Sequence, residues 1–166
     1  MRTRFPSPAD RARLTEIIAQ GAGFRPEEVS CALELLDAAL ARADGNTYEA
    51  LVAVDGRSAS GVGEAEGIPL AYACFGHTPM TESTFDLYWL VVAADARGRG
   101  IGASLLQAVE DLLRGRGVAR LRIETSSLEG KGGAARFYAK CGYQRVGTVV
   151  DFYRSGDDLL TFVKVL

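Results

Sequence analysis

Apolar positions recur along this chain with two different periods, and the switches between them mark its elements. Leu14, Ile17 and Ile18 fall at helical spacing behind Ser7-Pro8-Ala9-Asp10, a capping serine followed by proline and an acid; Gly21 and Gly23 stop the run. Arg25-Pro26-Glu27-Glu28 opens a second helix whose apolar face is Val29, Leu33, Leu36 and Leu40, closed before Gly45-Asn46. Tyr48–Val54 reads as a strand ending on the turn signal Asp55-Gly56, and Gly56–Gly67 as a loop of small residues. Two more strands are predicted near Ile68–Phe75 and Thr84–Val92. Leu105, Leu106, Val109, Leu112 and Leu113 mark a third helix that ends at Gly115 or Gly117. A strand at Leu121–Thr125, a short helix at Ala134–Lys140, and closing strands at Tyr143–Tyr153 and Leu159–Val165 complete the chain. Consecutive strands early and late pair antiparallel, whereas the strand–helix–strand in the middle needs a parallel crossover. The fold class expected is α/β with a mixed, mostly antiparallel central sheet and flanking helices.

Composition narrows the function classes. With 166 residues, 48% hydrophobic and 24% charged, the chain suits one domain spanning 1–166. Acidic residues outnumber basic ones 21 to 19, for a net charge of -2, which argues against a nucleic-acid partner. Of the basic residues, 16 are arginine, scattered from Arg2 to Arg154 without a stripe. Cys31, Cys74 and Cys141 are far apart and form no C-x-x-C pair, so neither a disulfide framework nor a metal site is expected. No apolar run resembles a secretion signal or a membrane span, and a cytoplasmic location is expected.

Glycine is the outlier, with 19 residues, and six of them cluster at Gly98–Gly102 and Gly130–Gly133. In the first cluster, Trp89-Leu-Val-Val runs as a strand into Arg97-Gly98-Arg99-Gly100-Ile101-Gly102-Ala103 and then into an amphipathic helix. Glycines let backbone N–H groups approach a ligand, and a helix start adds unsatisfied amides and a positive dipole end, a combination that suits a phosphate or diphosphate. The plainer alternative is a tight turn with solvated arginines. The Walker pattern is excluded because no lysine follows the glycines. Gly98, Gly100 and Ala103 do satisfy the dinucleotide fingerprint, with Glu124 on the next strand. However, Ala93–Arg97 separates strand from glycine, and too little chain remains for a doubly wound sheet.

What remains is R-x-x-G-x-G at Arg97, Gly100 and Gly102, joined by Ala134-Ala-Arg-Phe-Tyr-Ala-Lys-Cys-Gly-Tyr143 further on. In these two motifs, taken in this order, the chain resembles the GNAT superfamily, the acyl-coenzyme A-dependent N-acyltransferases, over essentially its whole length. The resemblance implies acetyl-coenzyme A (acetyl-CoA) as cosubstrate and a sheet splayed between its fourth and fifth strands. It places the diphosphate on Arg97, Gly98, Arg99, Gly100, Ile101, Gly102 and Ala103, and the pantetheine arm along Leu90, Val91 and Val92. Tyr138 matches the tyrosine that protonates the departing thiolate in many members; the alternative is an aromatic packing residue beside Phe137.

Further candidates follow from chemistry together with that resemblance. Asp86, on the Thr84–Val92 strand among apolar residues, is the leading general base, and burial there would help it accept the ammonium proton. Glu124 is the second candidate. Asp151 and Tyr153, with Asp157 and Asp158, could form an acidic and aromatic rim for a cationic amine, although Ser155-Gly-Asp-Asp is also ordinary turn chemistry. His77, the one histidine, could face the acceptor or sit in a loop. Lys131 stands where the family helix often carries an asparagine, and Cys141 reads as a packed residue. The function expected is acetyl transfer to a primary amine, of a small molecule, by direct attack. A non-catalytic acyl-CoA sensor and a protein N-terminal or lysine acetyltransferase are the alternatives, and a homodimer is left open.

Overall fold

The computed structural model describes residues 1–21, 24–41, 47–56, 67–128 and 133–166. The loop after Gly56, the Gly45-Asn46 stop, and Gly130, Lys131 and Gly132 of the second glycine cluster lie largely or wholly outside the described residues. In chain order the elements are β1 (Arg2–Arg4), α1 (Arg11–Ala19), α2 (Pro26–Ala41), β2 (Tyr48–Val54), β3 (Pro69–His77), β4 (Thr84–Val92), α3 (Ile101–Gly115), β5 (Arg120–Ser126), α4 (Gly133–Lys140), β6 (Gln144–Arg154) and β7 (Asp157–Val165). The expected mixed α/β sheet is present. Its order among the described residues is β1-β2-β3-β4-β5-β7-β6, with β4–β5 the parallel pair. Two features were not foreseen. β1 is three residues long and carries two arginines, so no periodicity announces it; it is held by pairing with Val52–Val54. The final hairpin also inserts its second strand, β7, next to β5, leaving β6 at the sheet edge.

Alternation along the strands assigns the two faces. Tyr72 and Cys74 of β3 lie beneath α2, within electrostatic reach of Asp37 and Cys31. Their partners in β4 are Val91 and Trp89. Leu90 and Val92 therefore point to the opposite face, where Gly102 of α3 sits against Val92 and Phe137 of α4. Leu105, Leu106, Val109 and Leu113 of α3 are buried, as their helical spacing requires. The strands beneath are closed by Phe75, Leu121 and Ile123.

A carboxylate is buried within this packing. Glu110 of α3 is 1% exposed. Its carboxylate accepts hydrogen bonds from Tyr143 Oη at 3.0 Å, Lys164 Nζ at 2.7 Å and Arg114 Nη2 at 3.0 Å. Lys164 also donates to the Cys141 carbonyl at 2.9 Å. The cluster bolts the turn after α4 to both α3 and β7. Burial and the adjacent carboxylate push the Tyr143 phenol up, so it remains a donor. Tyr143→Phe should cost about 1–3 kcal/mol in urea unfolding, because it strands part of a buried acceptor.

Under α2, burial raises the Cys74 thiol from 9.0 to about 12. The folded state therefore favours the neutral thiol. That contribution is complete below pH 9.0 and is lost as pH rises toward about 12. Urea midpoints should fall across this alkaline window, and Cys74→Ala should make the fall shallower.

Candidate active site

The parallel pairing of β4 with β5 runs from Thr84–Arg120 to Leu87–Ile123 and goes no further, although β4 continues to Val92 and β5 to Ser126. At the same level the β3–β4 register shifts: Cys74 faces Trp89 and Phe75 faces Leu87, so Tyr88 is an extra, bulged residue. A bulge bends and twists its strand locally. β4 thus leaves β5 and opens a cleft of about 400 Å³ through the sheet. Its walls include Asp86–Leu90 of β4, Arg122–Ser126 of β5, Tyr138 of α4, Tyr153, Arg154 and Asp157 of the final hairpin, and Phe24, Arg25 and Glu28 at the start of α2.

Beyond the cleft, β4 passes through a short 3-10 turn at Ala94–Ala96 into the glycine loop. Gly98 and Gly100 adopt φ of +74° and +76°, and an added Cβ at either would meet nothing within 4 Å. Backbone conformation, not space, calls for glycine there. Gly100 caps α3, so the N–H groups of Ile101, Gly102 and Ala103 have no intrahelical acceptor. Gly102 serves differently: a Cβ would stand 3.3 Å from Val92 Cγ2 and 3.7 Å from the Phe137 ring, so its absence lets α3 start close against β4 and α4. Arg99 is exposed beside these amides. The Arg97 side chain turns elsewhere, donating to the Val92 carbonyl at 3.1 Å and the Gln20 carbonyl at 2.7 Å, and so ties the loop to the end of α1.

Tyr138 is 8% exposed, lines the cleft, and packs edge-on to Phe137 and Tyr143 with ring centroids 5.2 and 5.9 Å away. Asp86 also lines the cleft, though not among apolar neighbours alone. It accepts from Arg122 Nε at 2.6 Å, Arg122 Nη2 at 3.1 Å and Thr78 Oγ1 at 2.9 Å, so both oxygens are engaged. Glu124 stands on the same wall with its side chain 44% exposed, 3.7 Å from Arg122 Nη1. Tyr153 lines the cleft. Asp157 does so too, at 5% exposure, holding Ser126 Oγ and lying 3.4 Å from Arg154 Nε.

Two of the acceptor-side candidates, Asp151 and His77, lie outside the cleft lining. Asp151 is exposed with φ of +55°, and it builds the hairpin: its carboxylate accepts from the Gly156 N–H at 2.6 Å and its own N–H donates to Asp158 at 3.0 Å. His77, at the end of β3, packs edge-on to Phe85, 5.5 Å away, on the face opposite Asp86. Arg122, Tyr88, Trp89 and Phe24 also line the cleft, beyond the residues expected from the sequence. Arg122 and Glu124 were legible as the polar face of Leu121-Arg-Ile-Glu-Thr. Phe24 carries no such signal; it sits just before α2 and reaches Trp89 edge-on, 5.2 Å away, through the packing of the helical layer on the sheet.

Residues 46–145 match the family model described as Acetyltransferase (GNAT) domain. The chain belongs to the GNAT acetyltransferase family. It is an acyl-CoA-dependent N-acetyltransferase with acetyl-CoA as cosubstrate. A putative acetyltransferase of the GNAT family from Desulfovibrio desulfuricans superposes with a TM-score of 0.84 and 31% identity, covering 99% of this chain and 98% of that one. More distant in sequence, the ribosomal-protein-S18-alanine N-acetyltransferase from Escherichia coli gives a TM-score of 0.74 at 17% identity over 99% and 92% of the two chains. An aminoglycoside 6'-N-acetyltransferase complexed with coenzyme A gives 0.75 at 17% over 99% and 97%. These two share the fold. No curated protein matches the chain by sequence.

The acetyltransferase fits its cosubstrate on its own geometry. Free amides cluster at the start of α3, next to a cleft bordered by the unpaired stretch of β4, and an extended amide-bearing chain can lie along such an edge. Gly100→Ala places an L-residue at φ +76° and should cost about 1–2 kcal/mol. Gly115→Ala, in α3 without positive φ, should be neutral or slightly stabilising by comparison in urea melts.

Proposed function

We propose that this acetyltransferase moves the acetyl group of acetyl-CoA to the primary amine of a small molecule by direct attack. The observation that carries the reading is the parting of β4 from β5 with the Gly98–Gly102 loop at its end and Tyr138 in the cleft wall. The backbone from Arg97 to Ala103 would hold the diphosphate, and the main chain of Leu90 to Val92 the pantetheine arm. The Arg97 side chain would brace the loop instead of contacting phosphate.

Within the cleft the amine must lose a proton, attack the thioester carbonyl, and expel a thiolate that regains a proton. Tyr138 is the proton donor to that sulfur: a phenol is a weak enough acid to remain protonated yet strong enough to quench a thiolate. Glu124 takes the ammonium proton, directly or through water. Asp86, its oxygens held by Arg122 and Thr78, is better suited to fixing the Arg122 guanidinium than to accepting that proton. Direct attack is favoured over an acyl-cysteine route by the thiols themselves. Cys31 is exposed on α2, and none of the three cysteines lines the cleft. Burial pushes the Cys74 and Cys141 thiols up, away from the reactive thiolate.

The structural neighbours include enzymes named for a ribosomal-protein alanine and for aminoglycosides, so the fold serves both kinds of acceptor. Here the cleft volume of about 400 Å³, walled by Tyr153 and Arg154 on one side and Phe24 on the other, favours a small molecule. Calorimetry should show acetyl-CoA binding at micromolar affinity or better. Tyr138→Phe should lower kcat by about 100-fold while leaving that affinity unchanged; equal losses in both would reassign Tyr138 to packing.

A further inference from the structure

The cleft wall holds a cation and an anion whose hydrogen-bonding capacity is only partly used. A guanidinium has five N–H donors in a planar fork. Arg122 gives Nε and Nη2 to Asp86, at 2.6 and 3.1 Å, and Asp86 is locked from its other side by Thr78. The remaining edge of the fork, Nη1, meets only the Glu124 carboxylate among the described residues, and at 3.7 Å that is an ion pair without a hydrogen bond. Both side chains are partly open to the cleft, Arg122 at 38% and Glu124 at 44% exposure. The contrast with Glu110 is informative, since there every oxygen is satisfied and the group is sealed.

From this juxtaposition we infer that the acceptor is zwitterionic: a free amino acid whose carboxylate docks on Arg122 Nη1 while its ammonium docks on Glu124. A carboxylate attached one carbon from an amine has the reach to bridge two groups 3.7 Å apart, and it completes a charge-assisted contact on each. Asp86 keeps the guanidinium plane fixed, so the fork is oriented before substrate arrives. The amine is thereby delivered to the carboxylate that deprotonates it. Phe24, Tyr88, Trp89 and Tyr153 line the same cleft and would surround an apolar side chain. A bare amine could use only Glu124, and a peptide N-terminus, whose carboxylate is an amide, could not use the charge on Arg122. The proposal rests on the reading of this cleft as an acetyl-transfer site, and it narrows the small-molecule acceptor proposed there to a free amino acid.

The test is thiol release from acetyl-CoA by the full-length protein with three amines of one skeleton: L-phenylalanine, L-phenylalaninamide and 2-phenylethylamine, repeated with leucine, leucinamide and isopentylamine. The free amino acid of at least one series should exceed its amide and its decarboxylated amine by about 10- to 100-fold in kcat/KM, the range expected for one charge-assisted contact. Equal or better turnover of the amide or the bare amine in both series would overturn the zwitterion while sparing the acetyl-transfer reading. Release from none of the six, with acetyl-CoA still bound in calorimetry, would overturn an apolar amino acid as acceptor; release from other amines in the same assay would then show that the acetyl-transfer reading survives. Arg122→Lys, which keeps a charge near Asp86 but loses the fork, should raise KM for the amino acid about 10-fold without changing acetyl-CoA affinity. Should that variant fail to fold, Glu124→Gln, at an exposed side chain, should lower kcat/KM for the amino acid and the bare amine alike by about 10-fold or more, because both present their ammonium to Glu124. A Glu124→Gln enzyme with unaltered kcat/KM for the amino acid would overturn the proposal.

Discussion

Everything functional in this protein depends on two neighbouring strands that stop sharing hydrogen bonds halfway along. β4 and β5 pair in parallel as far as Leu87 and Ile123 and then part. Backbone N–H and C=O groups tolerate burial only with partners, so the inner edge of β4 beyond that point needs water or an extended ligand. The bulge at Tyr88 supplies the bend that opens the gap. The same strand then continues into the glycine loop, so the wall of the cleft and the start of α3 are consecutive pieces of one chain. A displacement of β4 would therefore move both together.

The two faces of the sheet put charge to different uses. On the face of α3 and α4, Glu110 is buried with Tyr143, Lys164 and Arg114, and Lys164 reaches on to the Cys141 carbonyl. Those contacts fix the end of the helix that carries Tyr138. On the face of α2, Asp86 and Arg122 are register partners in the last stretch where β4 and β5 still pair. Their ion pair closes the base of the cleft and leaves one edge of the guanidinium beside Glu124. A buried carboxylate with all its donors supports structure; a half-used fork facing a cavity invites a ligand.

Much of this was readable along the chain. The helices and most strands follow from apolar spacing, and the glycine turn from Arg97 to Ala103 that opens α3 follows from glycine placement. Tyr138 was legible through the motif around it. The site's electrostatics were not. Asp86 was expected among apolar residues because its strand neighbours are apolar, yet its nearest contacts come from Arg122, 36 positions away, and from Thr78. Asp151 and His77 were drawn toward the acceptor by their chemistry, but the first builds a turn and the second lies on the other face. Phe24 entered the cleft wall by helix packing that no local pattern encodes.

By itself the sequence determined what is decided between near neighbours: where helices begin, which residues accept positive φ at Gly98 and Gly100, and that a glycine turn feeds a helix start. These depend on backbone sterics and on spacing within a few residues. Only the tertiary structure decided that β7 inserts beside β5, that β4 leaves β5 after Leu87, and that Arg122 divides itself between Asp86 and Glu124. Strand pairing and ion pairing join residues far apart in the chain, and their geometry is set by register and packing, quantities that no single segment carries.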